Sequence, residues 1–213
     1  MIPSQIAKLK QALANPLPGW EMQKRMAPAN RRTDIDRAHL MTDDYRESST
    51  LLLLYPQNDA LHFILIRRPE YEGVHSGQIA FPGGRREGEE SYLATALREA
   101  NEEIGVLPEQ VTMLGTLTPL YIPPSRVLVY THVGFCSSRP NCHPNEREVA
   151  EILEPPLSLL LDPSTRKWEE REFTALGPAN VPYYDIYGHK VWGATAMMLA
   201  EFSSIIEPIH VGV

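Results

Sequence analysis

The apolar positions change period several times along the chain, and each change marks an element. Ile6, Leu9 and Leu13 recur on one helical face, and Pro16 and Pro18 end that helix. From Gly19 to Arg46 the period is lost; the stretch is polar and mixed, carries Pro28, and reads as an irregular arm or linker. Residues 1–46 are accordingly set apart as an N-terminal helix and extended arm, ahead of a main domain over 47–213. The run Ser49 to Tyr55 predicts a buried strand, Gln57-Asn58-Asp59 a turn, and Leu61 to Ile66 its hairpin partner. Neither run alternates strictly, as expected for strands covered on both faces.

Gly73 to Gly84 is loop-like around a short apolar stretch, Ile79-Ala80-Phe81. A helix is predicted from about Glu90 to Glu103, with Leu93, Ala96, Leu97, Ala100 and Ile104 as its stripe and Gly105 as a left-handed cap. Val111 to Leu120 and Val127 to Cys136 read as strands separated by the turn Ile122-Pro123-Pro124-Ser125. Pro156 to Leu161 suggests a short helix, Phe173 to Tyr187 more strand, and Val191 to Ile206 a final helix. Helices and strands in this order suit an α/β domain, and no internal repeat interrupts them.

Composition narrows the class. A chain of 213 residues with 43% hydrophobic and 22% charged positions can bury a sizeable core. The formal net charge of −7 argues against a nucleic-acid binder, although Arg67-Arg68 and Arg85-Arg86 suit an anionic small molecule. Cys136 and Cys142 match no common zinc or redox spacing and fit unpaired, reduced thiols. The N-terminus lacks the apolar core of a signal peptide, and no apolar run is long enough to span a bilayer. The expectation is a soluble, cytoplasmic protein without a membrane partner, with the N-terminal arm and the apolar C-terminal segment as candidate homodimer surfaces.

The chemistry concentrates in one helix. Glu99, Glu102 and Glu103 stand at i, i+3 and i+4, where like charges cost an isolated helix roughly 0.2–0.5 kcal/mol per pair. A hard cation such as Mg²⁺ or Mn²⁺ takes oxygen ligands, keeps several waters and shares its shell with substrate phosphates, so metal binding would offset that repulsion. A solvated acidic face explains a bare ExxEE as well. It does not explain the company: Arg98 can orient a carboxylate, and Gly83 and Gly84 let the loop backbone come close to the helix or to a phosphate.

In this order, Gly84, Glu90, Arg98-Glu99-Ala100, Glu102-Glu103 and Gly105-Val106 resemble the Nudix box at every fixed position, with Ala100 a small choice for an aliphatic site. The resemblance implies an α/β/α sandwich with a mixed β-sheet and divalent-metal hydrolysis of a nucleoside diphosphate linked to another group. It implies that Glu99, Glu102 and Glu103 hold the metals, Glu103 most dependably, and that Glu90 and Arg98 support them. Upstream, Arg68, Gly77, Phe81, Pro82, Gly83 and Gly84 are similar to the coenzyme A pyrophosphatase branch. Pro69 and Ile66 depart from it where hydroxyl residues are preferred, and Gly73 where an arginine is.

Downstream, Glu146-Arg147-Glu148-Val149 and Val191 to Ala196 also resemble that branch. Glu148, or Glu146, is a candidate general base or further metal ligand on a loop, against the alternative of a surface charge. Arg67 and Arg68 are candidates for the ribose phosphate, His75 for a phosphate contact, and Trp192 for core packing within the last helix rather than for stacking on a substrate. Coenzyme A or an acyl derivative is the expected substrate, with ADP-ribose or another nucleoside diphosphate derivative as the alternative. A ligand-sensing module without catalysis is the rival from another class; it is disfavoured because every carboxylate of the box is present and no basic helix-turn-helix segment is evident.

Overall fold

Leu51 to Tyr55 sends alternate side chains into two separate apolar layers, and that alternation sets the architecture. The computed structural model describes residues 2–29, 45–72, 76–173 and 177–210. Strand β1 (Arg46–Gln57) turns through Asn58 and Asp59, both at positive φ, into antiparallel β2 (Ala60–Phe63). On its other edge β1 runs parallel to β8 (Val127–Phe135), which pairs antiparallel with β6 (Thr112–Thr116) and β7 (Leu120–Ile122). A short strand, β5 (Gly83–Arg85), pairs with the start of β1. The central sheet is therefore mixed.

Leu51, Leu53 and Tyr55 pack with Ala96, Ala100 and Ile104 of helix α3 (Tyr92–Ile104). Leu52 and Leu54 face the other way, into a layer that contains Leu9 and Leu13 of α1 (Ile2–Leu13) and Phe202 of α5 (Gly193–His210). Each fully buried leucine is worth roughly 1.5–3 kcal/mol. A run with no polar position is what a strand sandwiched between helices requires. This is the α/β/α sandwich with a mixed sheet that the resemblance implies.

Two smaller sheets flank it: β3 (Leu65–Arg67) between β4 (Ile79–Ala80) and β9 (Glu151–Leu153), and β11 (Gly177–Ile186) between β10 (Arg166–Phe173) and β12 (His189–Trp192). Helix α2 (Trp20–Gln23) lies near the N-terminus and α4 (Leu157–Leu161) follows β9. Among the described residues, no helix is long and apolar enough to cross a membrane, and Cys136 and Cys142 are both free.

Several expectations change. Gly19 to Ala29 is not an extended arm: α2 and the turn after it bury Gln23, Met26 and Ala27, while 30–44 lie outside the described residues. The reason is a buried acid. Glu201 of α5 accepts hydrogen bonds from Gly19 N (3.1 Å), Gln23 Nε2 (2.8 Å) and Thr118 Oγ1 (2.6 Å), so polar residues of the segment close over it. The apolar C-terminal segment is likewise spent within the chain, since Met197, Leu199, Phe202 and Ile206 belong to the same core as Leu9 and Leu13. The expected hairpin breaks at Ile64, after which β3 leaves for the β4–β9 sheet. The last helix begins at Gly193 rather than Val191, because His189 to Trp192 pair with β11. Gly73 and His75 lie outside the described residues.

Candidate active site

The site begins where helix α3 starts. Ser91 Oγ accepts from Ala94 N at 3.1 Å, so the helix opens after Glu90, and Gly105 closes it in the left-handed conformation at φ 73. Glu90 therefore stands before the cap, not in the first turn of the helix as expected. Its carboxylate still reaches Arg98: Nε donates to Oε1 at 2.8 Å and Nη2 to Oε2 at 3.2 Å, with Thr95 Oγ1 donating at 2.9 Å. These donors hold the Glu90 carboxyl down at about 2. Arg98 Nη2 also donates to the Arg85 carbonyl of β5 at 3.2 Å, and Nη1 lies 3.0 Å from both Glu99 Oε1 and Glu102 Oε2. One guanidinium thus ties the helix entry, the glycine loop and two of the acids together.

The glycines are required by contact. Gly83 pairs with Thr50 at φ 151, and a Cβ there would fall 2.4 Å from the Ser49 carbonyl oxygen. A Cβ on Gly84 would fall 2.3 Å from the Glu99 carboxyl carbon. The loop thus lies directly against the acidic helix.

Glu103 is 1% exposed, on the packed side of the helix. Its Oε2 accepts from Gly83 N at 2.8 Å. Burial pushes its carboxyl up to about 7, against the Gly83 amide and Arg68, which favour the charged form. Glu99 is also raised by burial, while Arg98 opposes the shift. Glu148 adds repulsion to both Glu99 and Glu103, which brings this exposed loop acid into the same field. Its loop is pinned to the helix end, with Asn145 N donating to the Glu103 carbonyl at 2.8 Å and Glu148 N to the Asn145 carbonyl at 2.9 Å.

Not every expected residue arrives. Glu102 is half-exposed and turned to Arg98, and among the described residues no three acids, histidines or cysteines close into an ion cage. Repelling carboxylates have taken the donors at hand, the Arg98 guanidinium and the Gly83 amide. Arg67 turns away to Glu151 of β9, its Nε 3.0 Å from Oε2, whereas Arg68 stays within the field of Glu103. Trp192 ends β12 instead of lying in a helix, with the Arg171 guanidinium 4.1 Å above its ring.

The remaining donor set is all oxygen: Glu99 and Glu103 against a glycine loop, with Glu102 and Glu148 beside them. That chemistry fits a hard divalent cation that keeps part of its water. Sequence reasoning missed Glu47, which accepts from Arg86 Nη1 at 2.8 Å and from the Tyr92 hydroxyl at 2.5 Å and braces the same loop. No periodic signal marks Glu47; Glu201, a lone acid in an apolar run, was at least visible.

Comparison with known proteins agrees with this geometry. A family model described as NUDIX domain matches residues 45–176. The chain is 32% identical over 169 residues to the uncharacterized Nudix hydrolase NudL of Photorhabdus laumondii, covering 78% of this chain and 88% of that one. It is 31% identical over 150 residues to the peroxisomal coenzyme A diphosphatase NUDT7 of Mus musculus, covering 69% of this chain and 61% of that one. Among solved structures, a MutT/nudix family protein from Enterococcus faecalis superposes with a TM-score of 0.52 at 15% identity, over 90% of this chain and 76% of that one, a likeness of fold. The chain belongs to the NUDIX family, as a Nudix hydrolase, an enzyme acting on pyrophosphate bonds.

Proposed function

We propose that the enzyme cleaves the diphosphate bond of coenzyme A or an acyl derivative, releasing 3',5'-ADP and (acyl-)4'-phosphopantetheine. The observation that carries the diphosphate chemistry is the contact of Glu99 and Glu103 with Gly84 and Gly83. The choice of coenzyme A rests on the Arg68 to Gly84 motif and on the similarity to the mouse coenzyme A diphosphatase. The chain spans 61% of that relative.

Nudix hydrolases generally need a divalent metal. In this reading Glu99, Glu102 and Glu103 would hold Mg²⁺ or Mn²⁺, with Glu103 anchored by the Gly83 amide. The chemistry supplied by such an ion when bound is neutralisation of phosphate charge and activation of a water. Arg98 orients Glu99 and Glu102, and Gly83 and Gly84 let a phosphate approach the backbone. Glu148 faces the same acids and serves as general base or as a further ligand. Arg68 supplies positive charge beside Glu103. Cytoplasmic location and action on a free small nucleotide go with this reading.

ADP-ribose or another nucleoside diphosphate derivative is the second reading, favoured by Arg67: its Nε is committed to Glu151, which weakens its pull on a ribose phosphate. The test incubates the purified protein with coenzyme A and, in parallel, ADP-ribose, with and without Mg²⁺ or Mn²⁺, and weighs the products. Metal-dependent 3',5'-ADP and 4'-phosphopantetheine are expected. Cleavage of ADP-ribose alone would discard coenzyme A as the substrate, and silence in both would discard both named substrates and make a sensing module the reading to pursue.

A further inference from the structure

A cleft of about 270 Å³ opens between the segment 76–79 and the β10–β12 sheet. Arg171 enters it from β10, and Lys190 and Trp192 from β12. The Arg171 guanidinium lies over the Trp192 ring at 4.1 Å, which makes a flat, cationic wall. Beside that wall stands Lys190, whose Nζ is 5.5 Å from the Tyr183 ring centre. Glu169 forms ion pairs with both Arg171 and Lys190.

The opposite wall leads to the acidic helix. Gln78 accepts through its carbonyl from Arg68 N at 3.0 Å, and Arg68 acts on Glu103. Ile79 is four residues from Gly83, whose amide holds Glu103. Four residues span at most about 14 Å when fully extended, roughly the length of one nucleotide unit. Thr195 Oγ1 donates to the Ile79 carbonyl at 3.1 Å and locks this wall to α5. The cleft wall thus runs into the glycine loop that holds Glu103, no more than about 14 Å of chain away.

We propose that this cleft recognises the nucleoside end of the substrate: a base stacks on the Arg171–Trp192 wall, and Lys190 with Arg171 binds a phosphate separate from the diphosphate that is cleaved. The proposal rests on the diphosphate chemistry proposed above and adds to it a specificity element. A flat π-face suits any base, and a guanidinium plane over an aromatic ring presents both stacking surface and charge. Two cations gathered on one carboxylate suit an anion of higher charge that takes over the place of Glu169. A nucleotide whose ribose carries no phosphate would leave Lys190 with Glu169 and gain only the stacking contact.

The test reads binding to the full chain, not turnover, by calorimetric titration of adenosine 3',5'-bisphosphate and of AMP. The wild type is expected to favour the bisphosphate by about tenfold, the size of one charge-assisted hydrogen bond. Lys190→Ala, a change at a half-exposed side chain, should reduce that preference to about threefold or less. Glu169→Gln should raise affinity for the bisphosphate, because the anion no longer competes with a carboxylate. A merely structural ion-pair cluster predicts the opposite, a weaker site in Glu169→Gln. The proposal is overturned by equal affinity of the wild type for the two ligands, by an unchanged preference in Lys190→Ala, or by no gain in Glu169→Gln. If the preference behaves as expected while no diphosphate is hydrolysed, the subsite stands and the enzymatic reading falls.

Discussion

Gly84 and Glu99 touch so closely that neither can be understood alone. A methyl group on residue 84 would overlap the Glu99 carboxyl carbon at 2.3 Å, so Gly84→Ala should shift that acid rather than unfold the strand. Overpacking of this kind costs about 1–3 kcal/mol, and a displacement near 1 Å at a reacting centre costs about 100-fold in rate. The expected result is a folded variant with kcat/KM down by roughly 10- to 100-fold, checked by metal-dependent turnover beside a thermal melt. Glu103→Gln should keep the fold, since an amide oxygen can still accept from Gly83 N. It should lose about 100-fold or more in activity, because even supporting residues of a metal site cost 10- to 100-fold. Near-normal turnover in a well-folded Glu103→Gln protein would remove Glu103 from the metal site.

At the scale of the element, α3 is a short helix with a defined start, and the acids depend on where that start falls. Ser91 supplies the cap, and Ser91→Ala should lower stability by about 1 kcal/mol, read as a shift in the urea midpoint. Arg98 then connects Glu90, Arg85, Glu99 and Glu102. The helical spacing of the three acids was readable along the chain. Their orientation was not. Spacing predicts neighbours on a surface, but the choice between converging on an ion and turning to Arg98 or Gly83 depends partly on a donor brought in by β5, since Gly83 lies 20 residues from Glu103 in the chain. The placing of Glu103 among Ala96, Ala100 and Ile104 was unreadable for the same reason. A charged residue is assigned to the polar side until a buried donor, here the Gly83 amide, is known to await it.

At the scale of the whole molecule, Glu201 joins what sequence composition divided. It anchors residues 19–23 and the Thr118 loop to α5, so Glu201→Ala would leave Gly19 N and the Thr118 donors without this acceptor and Gln23 Nε2 with the Thr118 carbonyl alone. A loss on the order of 3 kcal/mol is expected, measured by chemical denaturation. Acid should also weaken the fold through His132 of β8, which is buried and held below its ordinary value near 6.5. The unfolded chain takes up that proton first, so the contribution of His132 to stability falls as pH drops below about 6.5. Glu103, raised to about 7 in the fold, takes up its proton before the unfolded chain does and contributes in the opposite sense. His132→Leu should remove this acid-side loss below about pH 6.5; a stability difference from the wild type that does not change with pH there would exclude His132 as the cause.

Local pattern was enough for the sandwiched strand at Leu51 to Tyr55, the helix ending at Gly105, and the family to which the Gly84 to Val106 spacing points. These features depend on periodicity and on fixed steps along one element, so they are written in neighbouring residues. The bent hairpin after Phe63, the folding of residues 19–29 over Glu201, the turning of Arg67 to Glu151, and the Arg171–Trp192 wall come from contacts between segments far apart in the chain. Each is a competition among partners for one polar or aromatic group. Its outcome depends on which distant donor, acceptor or ring the packed sheets bring within reach.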